Sequence, residues 1–261
     1  MSSDAVTVSL TIAEAVATVT LNRPDVGNSM NLRFGADLLD VARRIQANSS
    51  IRAVVLTGAG RNFCFGGDLR DMVDSGRDIT GHLRELTTNL HAALVLFMRM
   101  DAPVVAAVNG TAAGAGLGLV LMADLAIAAA GSKFTAAYTG VALTPDGCNS
   151  YLLPRAVGYK RAMELLLTNR VLKAEEALSW GIVNQVVADE EVVGTATALA
   201  SRLASGPVGA FGGVKRLLGE SEPGLEEQLA RESATIAARG ATAEAGEGIA
   251  AFLAKRPPKY A

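Results

Sequence analysis

Apolar residues alternate with small polar ones over residues 6–10 and again over Val16–Leu21, the period of a half-buried strand. The chain therefore opens as a hairpin turning near Ala13 and Glu14, and Asn22-Arg23-Pro24 ends its second strand. From Leu32 to Gln46 the period lengthens, and Phe34, Leu38, Leu39, Val41 and Ile45 supply the buried side of an amphipathic helix. Residues 52–58 are nearly all apolar in their middle, as in a strand covered on both faces. Helical spacing then runs over 79–100 through His82, Leu86, Leu90, Leu94 and Phe97, with His91 an ordinary helix residue by default. Val104, Val105 and Val108 mark another buried strand, and residues 124–129 the next. This alternation predicts a mainly parallel α/β arrangement with crossover helices. Residues 134–141 and the run LTPDGCNSYLLPRAVG read as loops and short helical pieces. Beyond Lys160 the pattern is mostly helical, with a short strand in NQVV and helices near 191–204, 208–218 and 225–239. The ending EGIAAFLAKRPPKYA is a helix with a basic tail.

The chain is organised around residues 103–130, PVVAAVNGTAAGAGLGLVLMADLAIAAA. Each glycine inside a helix costs about 0.5–1 kcal/mol relative to alanine, so Gly114, Gly116 and Gly118 at a helix start need a reason. One reason is tight helix–sheet packing. The other is close approach of backbone to a ligand, met by unpaired N–H groups and a positive dipole end. Both readings stand at this point. A dinucleotide fingerprint fails because its third glycine falls on Leu119. A transmembrane reading fails because Asp124, Asn109 and the glycines interrupt the run. A buried strand–turn–helix–strand unit remains.

Half of the 261 residues are hydrophobic, enough for one large core and an appendage. A formal charge of −2 gives no general field for nucleic acid or anionic lipid, so neither a nucleic acid nor a membrane is expected as a partner. Cys64 and Cys148 form no paired framework, which favours a reducing, cytoplasmic setting and small buried thiols. The start MSSDAVTVSL lacks the layout of a secretion signal. His82 and His91 sit in no metal-ligand spacing, so no metal is expected.

The chain has no GxSxG elbow, P-loop or HExxH. Residues 58–72 lead from a strand to Gly66-Gly67, with Asp68 at a possible helix start. Backbone donors near Gly67 and Ala115 are therefore candidates. Asp146, between Pro145 and Gly147, reads as a turn residue or helix cap. Its neighbours Val141, Leu143, Tyr151 and Leu152 read instead as cover, which would suit a proton shuttle or nucleophile. Neither reading excludes the other on these residues alone.

The pieces NRPDVGNSMN, GAGRNFCFGGDL, APVVAAVNGTAAGAGLGLVLMADLAIAA, SKF, LLPRAVG, RAMELLLTNR, AEEALSWGIVNQVV and FLAKRPPKY, in this order, resemble the crotonase (enoyl-CoA hydratase/isomerase) superfamily over nearly the whole chain. The resemblance implies a spiral of ββα units over residues 1–200, a helical trimerisation or lid region over 201–261, and a homotrimer or dimer of trimers. It implies an acyl-CoA thioester substrate, with coenzyme A entering as part of that substrate and no separate cofactor. The Gly67 and Ala115 N–H groups would hold the enolate oxygen; alanine stands where the family usually has glycine and would turn its methyl toward the thioester. Arg23–Met30 and 62–65 would line the adenine and pantetheine, with Arg23, Met30, Phe65, Asp68, Gly114, Tyr138 and His91 around the substrate. Lys255, Arg256 and Lys259 would meet a CoA phosphate. The two glutamates of hydratases correspond to Gly118 and Tyr138, which disfavours hydration of that kind. Asp146 falls where enoyl-CoA isomerases, ring-epoxide phenylacetyl-CoA isomerases among them, carry their acid/base carboxylate. Aryl-CoA dehalogenases resemble NSYLLPRAVGYKRAMELLLTNR as well; their nucleophilic aspartate would match Asp146 and their histidine His91, but Tyr138 replaces their tryptophan.

Overall fold

The computed structural model describes residues 6–219 and 224–258. β1 (Val8–Ala13) runs antiparallel to β2 (Val16–Leu21), with Ala13 opposite Val16 across a turn where Glu14 takes a φ of +53°. β1 runs three residues beyond the expected 6–10, through Thr11, Ile12 and Ala13, which are exposed but stay in register opposite Thr18, Ala17 and Val16. α1 (Leu32–Gln46) begins at Asn31, whose side chain accepts from the Phe34 N–H at 3.0 Å, and buries Phe34, Leu38, Leu39, Val41 and Ile45. There follow β3 (Ala53–Gly58), α2 (Leu69–Asp74), α3 (Ile79–Arg99), β4 (Val104–Val108), β5 (Ala112–Ala113), α4 (Ala115–Met122), β6 (Leu125–Ala129) and β7 (Lys133–Thr135). After a short 3₁₀ turn at Thr139–Val141 come α5 (Asn149–Val157), α6 (Tyr159–Thr168), β8 (Leu172–Lys173), α7 (Ala174–Ser179) and β9 (Gln185–Val187). α8 (Val192–Ala204), α9 (Val208–Gly219), α10 (Leu225–Gly240) and α11 (Ala243–Leu253) follow.

The main sheet has the order β1-β2-β3-β4-β6-β9 and is parallel from β2 onward, and β5-β7-β8 form a second, smaller sheet. The strands of the main sheet divide their side chains by period two. Val55, Val105 and Ile127 pack under Ala196 and Ala200 of α8, while Val54, Leu56, Val104 and Ala106 join Phe34, Leu94 and Phe97 on the other face. That double cover is why these strands read as unbroken apolar runs. Asp124, the charge inside the apolar central stretch, accepts from the Val104 N–H at 2.8 Å and pairs with Lys215 of α9 at 2.8 Å. α8 runs across residue 200, and α10 lies along α3. Among the described residues no helix is long and apolar enough to cross a membrane.

α4 is buried on every side, as its sequence without a polar stripe requires. Its glycines serve different ends. A Cβ on Gly116 would lie 2.1 Å from the Cys64 carbonyl oxygen, and one on Gly118 1.9 Å from that of Gly147, so both answer to packing. Gly114 precedes the helix with a φ of +54° and gives it no side-chain cap.

Candidate active site

The loop after β3 and the start of α4 meet through Gly66, where an added Cβ would sit 2.8 Å from the Ala113 oxygen and 3.1 Å from the Ala115 nitrogen. The Met30 N–H donates to the Gly66 carbonyl at 2.7 Å, and the Asp68 N–H donates to the Met30 carbonyl at 2.9 Å. This bridge skips the intervening Gly67 N–H. Among the described residues neither the Gly67 nor the Ala115 N–H donates to a main-chain carbonyl. Two side chains fix the loops that carry this pair. Buried Asn28 donates from Nδ2 to the carbonyls of Ala59, Asn62 and Phe63. Arg23 donates from Nη1 to Asp68 Oδ2 at 2.8 Å and to the Ser29 carbonyl. Asp68 caps α2 by accepting from the Asp71 N–H at 3.1 Å, as a helix start requires.

Asp146 is only 3% exposed. It does not cap α5, because Cys148 stands at the cap, in a left-handed conformation with φ +71°. The neighbouring Gly147 lies against α4, where an added Cβ would be 3.3 Å from the Ala115 methyl. The alanine methyl is thus packed toward the Asp146 loop. Tyr138 donates from its hydroxyl to the Asp146 carbonyl at 2.8 Å, and Asn149 Nδ2 donates to the same oxygen at 2.8 Å and to that of Gly114 at 3.1 Å. The loop is therefore stapled to the N-terminal end of α4. Burial pushes the Tyr138 phenol and the Cys148 thiol far above their ordinary ranges, so both stay protonated.

His91 corrects its default reading as an ordinary helix residue: its Nε2 is 2.8 Å from Asp146 Oδ1, and both are buried. A third group joins them from α10. Glu232, 4% exposed, accepts from the Cys148 N–H at 3.2 Å and shares a hydrogen bond with the Ser150 hydroxyl, which Gln228 Nε2 meets at 2.8 Å. Burial pushes the Glu232 carboxyl up to about 7, opposed by Ser150 and the Cys148 amide and reinforced by Asp146. One donor atom from each of His91, Asp146 and Glu232 lies within 4.8 Å of the others, a convergence the spacing of histidines did not reveal. Hydrogen-bond donors face both Glu232 oxygens, the Cys148 N–H on one and the Ser150 hydroxyl on the other. A cleft of about 500 Å³ between α1, α3 and α10 reaches His91. A larger hollow of about 630 Å³ lies elsewhere, among Leu121, Leu125, Leu152, Phe211, Val214 and Lys215.

The remaining expected substrate residues fall as follows. Gly114 sits beside the amide pair, and Phe65 is exposed with its ring over Gly27. The Met30 side chain is 1% exposed in the core, so only its main chain can serve the site. Lys255 is exposed after α11, and Lys259 lies outside the described residues. Glu232 escaped the sequence reading, although it left a trace: Leu225, Leu229, Glu232 and Ile236 follow helical spacing, with a carboxylate where an apolar residue belongs.

A mainly parallel α/β fold thus brings the Gly67 and Ala115 amides onto adjoining segments, with the loop of the buried Asp146 packed against the same helix start. The enoyl-CoA hydratase/isomerase family model matches residues 11–261, and the chain belongs to that family. It is 39% identical to 1,2-epoxyphenylacetyl-CoA isomerase of Escherichia coli (strain K12), over 95% of this chain and 96% of that protein. It is 41% identical to a probable enoyl-CoA hydratase of Rhodobacter capsulatus, over 97% of each. It is 34% identical to 4-chlorobenzoyl coenzyme A dehalogenase-2 of Arthrobacter sp, over 95% of this chain and 91% of that one. The crystal structure of an enoyl-CoA hydratase from Mycobacterium avium subsp. paratuberculosis K-10 superposes with a TM-score of 0.88 at 30% identity, covering 98% of each chain.

Proposed function

We propose that this enzyme is an acyl-CoA isomerase in which Asp146 moves a proton between carbons of a thioester-activated chain or ring. Removing a proton next to the thioester, or along its conjugated system, places negative charge on the carbonyl oxygen. The Gly67 and Ala115 N–H groups would receive that charge without reorganising, a contribution of about 2.7–4 kcal/mol for each such donor. Asp146 then returns the proton at another carbon. Coenzyme A enters as part of the substrate, along the segments carrying Arg23, Met30 and Phe65, with Lys255 toward a phosphate. The observation that carries this reading is the burial of Asp146 on a loop stapled to the first turn of α4. Hydration by two glutamates is disfavoured on residues, since Gly118 has no side chain and no room for one and Tyr138 is spent on the Asp146 carbonyl, although relatives named enoyl-CoA hydratases are among those the chain resembles.

The hydrogen bond from His91 to Asp146 favours a second reading, displacement at an aryl-CoA ring. There Asp146 attacks the ring, the halide leaves, and His91 activates the water that cleaves the aryl ester. Incubation with 3-enoyl-CoA and with halobenzoyl-CoA separates the two. Growth of the conjugated thioester band supports isomerisation, and halide release supports displacement. Acyl-CoA binding with no turnover of either would leave only a binding protein. The family resemblance extends to assembly as a homotrimer or dimer of trimers, for which sedimentation equilibrium is the direct measurement.

A further inference from the structure

We propose that Glu232 is a positioning residue of this site: from α10 it holds the segment that carries Asp146 and sets the charge that Asp146 and His91 face. The inference rests on the proton-transfer reading for its effect on turnover, but not for its effect on His91.

The geometry gives Glu232 two tasks at once. Its oxygens engage the Cys148 amide and the Ser150 hydroxyl, on the residues that follow Asp146-Gly147. Gln228, one helical turn earlier on α10, donates to the same hydroxyl at 2.8 Å, so α10 grips the start of α5 by two side chains. The second task is electrostatic. The titratable groups facing Glu232 are His91 from α3, Asp146 and Cys148 from the loop, and Tyr138. Tyr138 and Cys148 are held protonated by burial and carry no charge. That leaves two carboxyls and one imidazole, with donor atoms within 4.8 Å of one another, to share the charge of a closed site. An ionised Glu232 adds a negative charge beside His91 and Asp146; a protonated one does not. The C-terminal helical region thereby becomes part of the chemistry as well as a cover for it.

Glu232→Gln tests this, because the amide can still accept from the Cys148 N–H and reach Ser150 while losing the charge. The chain has two histidines, so the imidazole resonances of His91 can be assigned in the full-length protein by comparison with His91→Gln. The His91 ring resonances of the wild type and Glu232→Gln should coincide below about pH 7, where Glu232 holds its proton, and diverge above it, where its carboxylate is ionised. Resonances that coincide on both sides of that pH overturn the proposal, whatever the substrate proves to be. On a 3-enoyl-CoA the wild-type kcat profile should bend near pH 7, the range to which Glu232 is raised, and Glu232→Gln should flatten it with KM unchanged. Glu232→Asp should restore the bend. A bend that persists in Glu232→Gln argues against the role. Should that variant not fold, Ser150→Ala removes the donor that lowers the Glu232 carboxyl and should move the bend to higher pH; no movement overturns the proposal. Absence of wild-type turnover would instead defeat the isomerase reading and leave the His91 resonances to decide Glu232.

Discussion

Two halves of the site are built in opposite ways. The amide pair comes from main chain: Gly67 lies on the loop after β3 and Ala115 at the head of α4, brought together by main-chain and glycine-to-backbone approaches, with Asn28 and Arg23 fixing the loops. The carboxyl cluster comes from side chains on α3, on the loop before α5 and on α10, joined across separations of 55 and 84 residues. The first half's own atoms belong to every residue type but proline, although Gly66, Asn28 and Arg23 hold them in place. The second can be undone at any of its members.

That contrast predicts an order of damage. Asp146→Asn should cost the most, about 10²–10⁴-fold in kcat with acyl-CoA affinity kept, as for loss of a general acid/base. Steady-state kinetics beside a binding titration would check it, and near-wild-type turnover would remove Asp146 from the chemistry. An amide of the pair is deleted outright only by proline. Ala115→Pro is placed at the first position of α4, where a helix accepts proline, and deletes one donor. It should lower kcat by about 10²–10³-fold while circular dichroism stays native. Next comes pH. The folded chain keeps a proton on Glu232 up to about 7, whereas the unfolded chain releases it near 4.5. Stability therefore falls as pH rises through that window, and the ionised group costs about 2–4 kcal/mol above it. Urea unfolding at both ends of the window should show this slope in the wild type and not in Glu232→Gln. The last change is Gly118→Ala, whose methyl would collide with the Gly147 carbonyl and press on the loop that carries Asp146. An overpacking cost of about 1–3 kcal/mol should appear as a lower Tm.

The same contrast explains what could be read in the chain beforehand. β3, β4 and β6 announced themselves because both faces are covered, and α1 because one face is. The glycines of α4 announced a crowded helix start, and Asp146 stood out as an acid among apolar neighbours. His91 did not stand out, since nothing on α3 shows that its ring meets a loop 55 residues away. Glu232 was harder still. A single glutamate in a helical stripe looks like an interruption until the partner surface is known, and its partners Cys148 and Ser150 are themselves unremarkable in sequence. Residues bound to near neighbours advertise their roles; residues bound across the fold do not.

The contact between the Gly118 backbone and the Gly147 carbonyl also bears on how such an enzyme changes its trade. A glutamate introduced at position 118 would have nowhere to go until the strap bearing Asp146 retreated, and that retreat would carry Asp146 away from its present partners. Carboxylates at 118 and 146 would thus be rival occupants of one space, and passage from one to the other demands a rebuilt loop rather than a changed codon.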